Sequence, residues 1–352
     1  MKKNKREIKF IDLFAGIGGI RLGFEQAAKE LNQKSKCVFT SEYDKYACDT
    51  YRKNFPIDDH NPLNDITEKS ESNIPEFDVL LAGFPCQAFS IAGKKGGFED
   101  TRGTLFFDVA RIIKKHRPKA FLLENVKGLV NHKSGKTLAT ILNVLNEDLG
   151  YNFVQFNVLN AKYYGVPQNR ERIYIVGFES NGGSFSFPNN DSIKKYVQDI
   201  IEKQEVNVRF YLSTVYLKCL KEHRARHEAK GNGFGYEIIE PDSIANAIVV
   251  GGMGKERNLL IDKRLTNFVP ETNIKGKVNR EGIRRMTPIE WERLQGFPDD
   301  WTKGVSNAQR YKQLGNSVAV PVIKQVCLNI IKELLQPVTY ENTTSKQLTM
   351  QF

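Results

Sequence analysis

Short apolar runs alternate with helical stretches through the first half of the chain. KFIDLF at residues 9–14 leads into AGIGG and then the helical RLGFEQAAKEL. CVFT at 37–40, VLLA at 79–82, AFLL at 120–123 and RIYIV at 172–176 follow as further strands. GTLFFDVARIIKKH is helical and leads into the fourth of these runs. Apolar runs without polar alternation belong to strands buried on both faces, and helices between them imply crossovers. The predicted class is therefore α/β, a parallel sheet covered on both sides. The 352 residues, 40% of them hydrophobic, suffice for one large core and a smaller second domain.

The texture changes after about Phe178. NGGSFSFPNND is polar, and residues 222–276 carry clustered Lys and Arg with the glycine-rich GNGFGYE and GGMGKERN. In MTPIEWERLQGFPDDW, Thr287 reads as an N-cap, with Pro288 in the first turn and Glu290 three residues after the cap. QLGNSVAVPVIKQVCLNIIKELL closes the chain as an amphipathic helix before the polar tail ENTTSKQLTMQF. The formal net charge of +11 points to a polyanion partner. No apolar run approaches the roughly 20 residues of a spanning helix, and MKKNKREIKF lacks the apolar core of a secretion signal. The five cysteines are odd in number and contain no C-x-x-C pair, so neither a disulfide framework nor a zinc site is expected. That usage suits a reducing cytoplasm. His223 and His227 in HRARH read as part of a basic helix rather than a metal site, and no metal is expected.

Pro85-Cys86-Gln87 stands just after the run at 79–82, so its thiol lies at the carboxyl edge of the sheet, where α/β folds bind ligands. Taken alone, Cys86 fits a buried structural cysteine as well as a catalytic thiol. Gly16, Gly18 and Gly19 join the first strand to the first helix, where a bare backbone approaches a ligand. Glu42 ends the second strand and suits two ribose hydroxyls. Asp65 suits an adenine amino group, and Phe14 and Tyr43 offer apolar faces to the ring. DLFAGIGG lacks the third glycine and the basic residue that a pyrophosphate would need, so S-adenosylmethionine fits better than a dinucleotide. Glu124 ends the run at 120–123, where burial raises a carboxyl pKa. Arg170 and Arg172, two apart on a strand, share a face.

Seven motifs, in order, resemble the DNA (cytosine-5) methyltransferases of bacterial type II restriction–modification systems. They are FIDLFAGIGG, SEYD, GFPCQAFSIAG, LLENVKGL, QNRERIYIVGF, RRMTPIEWERLQGFP and QLGNSVAVPVI. The resemblance implies a Rossmann-like S-adenosylmethionine-dependent methyltransferase fold. Its catalytic and cofactor domain is expected over residues 1–185, completed by 313–337. A loop-rich target-recognition domain is expected over 186–283, a hinge over 284–312 and a flexible tail over 338–352. It further implies that Cys86 adds to C6 of an extruded cytosine, that Glu124 holds N3 and the exocyclic amine, that Arg172 meets O2 and that Arg170 helps place the loop and the carboxylate. Phe14, Gly16, Gly18, Glu42, Tyr43, Asp65, Ile66, Pro85, Leu105, Asn316 and Val318 fall on cofactor positions. The closing helix must then fold back onto the first domain.

Residues 87–103 resemble the family's mobile loop, in which Gln87, Ser90, Lys94, Lys95 and Arg102 would meet DNA and Gly93, Gly96 and Gly97 would permit hinging. Lys230, Asn232, Tyr236, Lys255, Glu256, Arg257 and Asn258 are the candidates for base and phosphate contacts in the recognition domain. AKGNGFGYEII and GGMGKERNLLID resemble the CCGG-recognising group, with the inner cytosine as target. Ala247-Ile248 stands where many members have Thr-Leu, which puts contacts near Ala247 in doubt. A cytoplasmic monomer acting on double-stranded DNA beside a cognate restriction endonuclease is the expected setting. The competing readings are a catalytically silent DNA-binding protein on this fold, an RNA cytosine-5 methyltransferase and, more remotely, a dehydrogenase.

Overall fold

The computed structural model describes residues 6–85, 105–180, 182–189, 194–251, 253–271 and 274–336. The strands of its first half are β1 (Ile8–Leu13), β2 (Ser35–Ser41), β3 (Val79–Ala82), β4 (Ala120–Val126), β5 (Phe153–Asn160), the two-residue β6 (Gln168–Asn169) and β7 (Glu171–Phe178). All but β6 join one sheet in the order β2-β1-β3-β4-β7-β5. Strands β1 to β4 are mutually parallel, as expected. The expectation of a wholly parallel sheet needs correction, because β7 runs antiparallel to both β4 and β5. Residues 161–170, which link β5 to β7, are too few for a crossover of about a dozen residues or more, so the chain reverses directly.

Each central strand divides its side chains between two cores, as a period of two requires. Phe10, Val79, Leu81, Ala120 and Leu122 enter the core shared with α1 (Gly19–Glu30) and α8 (Val320–Leu334). Ile11, Leu80, Phe121 and Leu123 enter the opposite core, beneath α3 (Leu105–His116) and α4 (Lys136–Asn143). The last helix does fold back onto the first. A Cβ on Gly23 of α1 would come within 2.6 Å of Ile323 on α8, so glycine there sets their close approach. By length and composition the stretch Asn307–Leu334 could cross a membrane, but 67% of its apolar window is buried. It is two core helices, α7 (Asn307–Asn316) and α8, separated at residues 317–319.

The second half is built from α5 (Thr214–Glu228), β8 (Ala245–Asn246) beside β6, and the antiparallel pair β9 (Leu259–Ile261) and β10 (Ile283–Arg285). Two small apolar clusters support it, one around Val206, Tyr211 and Val278, the other around Leu212, Leu217 and Leu259. Residues 284–312 are tightly packed. Thr287 caps α6 (Pro288–Gln295) in a reciprocal box with Glu290, as its sequence predicts. Trp291, Leu294, Phe297 and Trp301 pack with Ile17 and with Tyr51 of α2 (Lys45–Asn54) in a third core. Arg284, fully buried, donates to Asp262 at 2.8 Å and to both oxygens of Glu290 at 2.8 Å each. Removing this cation leaves the buried Glu290 without its ion-pair partner, whereas Asp262 keeps Arg264. Arg284→Met is therefore expected to cost roughly 3–5 kcal/mol, measured as a lowered urea denaturation midpoint.

Candidate active site

The chain leaves β1 through a turn of left-handed backbone. Phe14, Gly16 and Gly18 have φ of 54°, 55° and 81°. The turn aims the Gly16 N–H at the Glu42 carboxylate, which accepts it at 2.8 Å and accepts the Asp44 N–H at 2.8 Å through its other oxygen. Burial raises the Glu42 pKa, and these two backbone donors oppose the rise. Each oxygen keeps a further lone pair for a hydroxyl donor. A Cβ on Gly16 would meet no atom within 4 Å, so the backbone there faces open space. The turn from α7 into α8 closes the opposite wall: a Cβ on Gly19 would lie 2.9 Å from both Ser317 and Val318. Tyr43, 76% exposed, stands at the rim, and Lys312 is tied to Asp44 at 2.6 Å.

Behind this turn Asp12 is fully buried on β1. One of its oxygens lacks a hydrogen-bond partner, and the other receives the Tyr51 hydroxyl at 3.4 Å. Burial pushes its pKa well above the aspartate range, and Arg21 opposes only part of the rise. A raised folded pKa makes the stability contribution complete below the unfolded value of about 4. That contribution is lost as pH rises through the folded value. Asp12→Asn is expected to remove this loss. Its gain in melting temperature should be near zero in acid and grow as pH increases, which thermal melts across a pH series would measure.

The other end of the cleft is built by β3, β4 and β7. Glu124 lies at the carboxyl end of β4, and the antiparallel register sets Arg172 opposite Val126, one short step away. Arg172 Nε lies 3.3 Å from Glu124 Oε1, with both side chains largely buried. Burial raises the Glu124 pKa, while Arg172 and then Arg170 pull it down. Asn125 donates to the Phe84 carbonyl at 2.8 Å and so anchors the backbone that precedes Pro85.

Arg170 behaves differently from its expected role beside the carboxylate. It lies just before β7, and its buried guanidinium donates to the carbonyls of Ile248 at 2.7 Å, Gly315 at 3.3 Å and Ser317. Burial, then the charge of Arg172, lower its pKa to about 9, which leaves it cationic at neutral pH. It joins the second half of the chain to the turn before α8.

Both ends open into one cleft of about 500 Å³. Phe14, Gly16, Glu42, Tyr43, Pro85, Asn316 and Val318 line it together with Glu124, Arg170 and Arg172. Gly18, Asp65, Ile66 and Leu105 do not. The missing Cβ of Gly18 leaves room for the Phe55 ring, which a side chain would strike. The Asp65 carboxylate accepts from the Thr67 N–H and hydroxyl at 2.9 and 2.8 Å, capping a short turn. Ile66 is core. Cys86, Gln87, Ser90, Gly93, Lys94, Lys95, Gly96, Gly97 and Arg102 lie outside the described residues. Of the other cysteines, Cys37, Cys48 and Cys327 are buried, and burial pushes the thiols of Cys37 and Cys48 up to about 12. Such thiols are inert near neutral pH.

In the second half Lys230, Asn232 and Arg257 are exposed, and Tyr236 is half-buried beside Arg224. Lys255 is half-buried, with its ammonium over the Tyr311 ring at 4.4 Å. Glu256 and Asn258 require correction as base readers. Both are buried, Glu256 accepting from Tyr216 at 3.1 Å and Arg285 at 3.0 Å, and Asn258 accepting from the Asn246 N–H at 2.8 Å. Sequence reasoning missed Asn125, Gln168 and Gly315. QNR in the fifth motif held the signal for Gln168, which accepts from the Ile248 N–H at 3.0 Å and donates to Leu294 and Gln295.

The structure thus brings an acid-faced glycine turn and a buried acid–guanidinium pair into one cleft at the edge of a mixed α/β sheet. Solved structures bear out the fold. The Entamoeba histolytica methyltransferase EhMeth superposes with a TM-score of 0.70 at 19% identity, over 94% of this chain and all of that one. The S. pombe Dnmt2 methyltransferase follows at 0.67 and 17%, with the same coverage. The particular family is C-5 cytosine-specific DNA methylase, which matches residues 8–332. The chain belongs to it and is a DNA (cytosine-5) methyltransferase. It is 60% identical to the type II methyltransferase M.HpaII of Haemophilus parainfluenzae over 334 residues, covering 94% of this chain and 91% of the relative. It is 44% identical to the type II methyltransferase M1.ScrFI of Lactococcus lactis subsp. cremoris, covering 93% and 78%.

Proposed function

We propose that this enzyme extrudes the inner cytosine of CCGG from duplex DNA and methylates its C5, using S-adenosylmethionine, to protect host DNA from a cognate restriction endonuclease. The observation that carries the reading is the single cleft shared by Glu42 with its glycine turn and by Glu124 with Arg172. The residues fit the cofactor: Glu42 has spare lone pairs for ribose hydroxyls, Gly16 opens the backbone and Tyr43 offers a ring. Lys312 is committed to Asp44, which suits a ligand without a pyrophosphate. S-adenosylmethionine, when bound, supplies an electrophilic methyl group. Residues 1–185 with 313–337 act in this reading as the catalytic domain and 186–283 as the recognition domain, within a monomer in the bacterial cytoplasm. The CCGG assignment rests on the resemblance of AKGNGFGYEII and GGMGKERNLLID to that group, and the 60% identity to M.HpaII over 94% of the chain supports it.

The chemistry follows from the residues. The Cys86 thiolate forms a bond to C6, and electron density moves toward C5 and the N3 side of the ring. Glu124, whose pKa burial raises, hydrogen-bonds N3 and stabilises the charge that develops there. Arg172 orients Glu124 and offers a donor to O2. After transfer a base takes the C5 proton, the C6–S bond breaks and the ring double bond returns. Lys94, Lys95 and Arg102 meet the phosphates, Ser90 the phosphate beside the flipped base, and Gln87 contacts the DNA. Extrusion is needed because C5 and C6 are shielded in a stacked duplex.

Bisulfite sequencing of DNA from cells expressing the protein should reveal protected inner cytosines at CCGG, and protection at another sequence would refute the assignment. Cys86→Ser should abolish transfer while leaving cofactor affinity unchanged in calorimetry; retained turnover would exclude this thiol as nucleophile. Glu124→Gln should slow single-turnover methylation by about 10²–10⁴-fold, again with cofactor affinity preserved.

A further inference from the structure

Val249 and Val250 are 43% and 45% exposed, side by side, at a point where the chain is otherwise firmly held. Ile248, immediately before them, is buried. Its carbonyl accepts from Arg170 at 2.7 Å, and its N–H donates to Gln168 at 3.0 Å. Their own backbone lies flat against Gly315. A Cβ on that glycine would come within 3.0 Å of the Val249 carbonyl carbon and the Val250 nitrogen, and within 2.8 Å of a Val250 methyl. Arg170 and Gly315 both line the catalytic cleft. Two half-exposed aliphatic side chains are thus clamped at the cleft's edge.

Valine has no donor for a phosphate oxygen. On a chain of net charge +11 that acts on a polyanion, an apolar pair at this place suits the part of DNA that is not charged. That part is the faces of the bases and the thymine methyl. A base that leaves the stack exposes such faces, and proteins that open a base step often insert aliphatic side chains there. A wedge also has to resist displacement. The Gln168, Arg170 and Gly315 contacts supply that rigidity without using either valine side chain for a polar bond.

We infer that Val249 and Val250 form an apolar wedge that presses on the base stack beside the extruded cytosine and favours extrusion. This rests on the reading that a cytosine enters the cleft. The test uses the full chain and CCGG duplexes carrying pyrrolocytosine, a cytosine analogue that pairs with guanine, at the inner cytosine position; its fluorescence rises on unstacking. In one duplex the probe faces a normal partner; in the other it faces an abasic site. The double variant Val249→Ser/Val250→Ser should lower extrusion on the paired duplex on the order of tenfold, yet stay within about twofold on the abasic one, where less unpairing is needed. Val249→Ile/Val250→Ile should keep the wild-type signal on both. Cofactor affinity and melting temperature report that the serine variant is folded. Equal loss on the two duplexes, or none on the paired one, would overturn the wedge alone. Absence of a wild-type signal on every duplex would overturn the extrusion reading as well.

Discussion

A carboxylate buried at the carboxyl edge of a parallel sheet needs a counter-charge at that same edge, and parallel neighbours are poorly placed to give one from their first residues. Arg172 is the second residue of β7. Were β7 parallel to β4, its start would lie at the far edge of the sheet. Because β7 is reversed, its start meets the end of β4, and Arg172 reaches Glu124 at 3.3 Å. The reversed strand is thus the condition for the acid–guanidinium pair, and the short link from β5 is the condition for the reversal. The pair in turn balances two opposing effects on Glu124. Burial alone would drive it neutral, and the arginines alone would keep it ionised.

The same short link carries a second consequence. Gln168 and Arg170 precede β7, so they emerge at the active edge of the sheet. Between them they bind both backbone groups of Ile248, the start of α6's exit turn through Leu294 and Gln295, and the carbonyls before α8. The second half is therefore keyed to the cleft wall largely through backbone atoms, whose positions depend little on which side chains occupy its loops. Such a junction lets those loops vary in sequence while the cleft keeps its shape.

What was legible in the sequence followed local rules. VLLA at 79–82 is uninterrupted and is followed by Gly83 and Pro85, so β3 could be bounded from composition alone. The Thr287, Pro288, Glu290 pattern announces a helix start because a cap is a contact between neighbours in sequence. Glu42 was legible because an acid at a strand end after a glycine turn has few structural uses. The direction of β7 was not legible: RIYIV is equally apolar in either orientation, and only the link length distinguishes them. Glu256 and Asn258 misled for a related reason. A polar residue in a basic loop looks solvent-facing until its half-buried partners, Arg285 and Asn246, come from elsewhere in the fold. Gly18 resembled a ligand-facing glycine, but the Phe55 ring that excludes a side chain there lies distant in sequence.

The cleft depends on two chain ends that meet only after folding. Residues 315–318 form one wall against Gly19, and they are held there because α8 is docked on α1 through the gap left by Gly23. Nothing in the first 180 residues can close that wall alone. The first half must wait for the last helix, and residues 186–312 lie between them in sequence. Assembly of the cleft is therefore coupled to folding of the whole chain: the intervening segment is enclosed, in sequence and by the Arg170 junction, between the two parts that form the cleft walls. A chain arranged in this way has no complete cleft until that segment is in place.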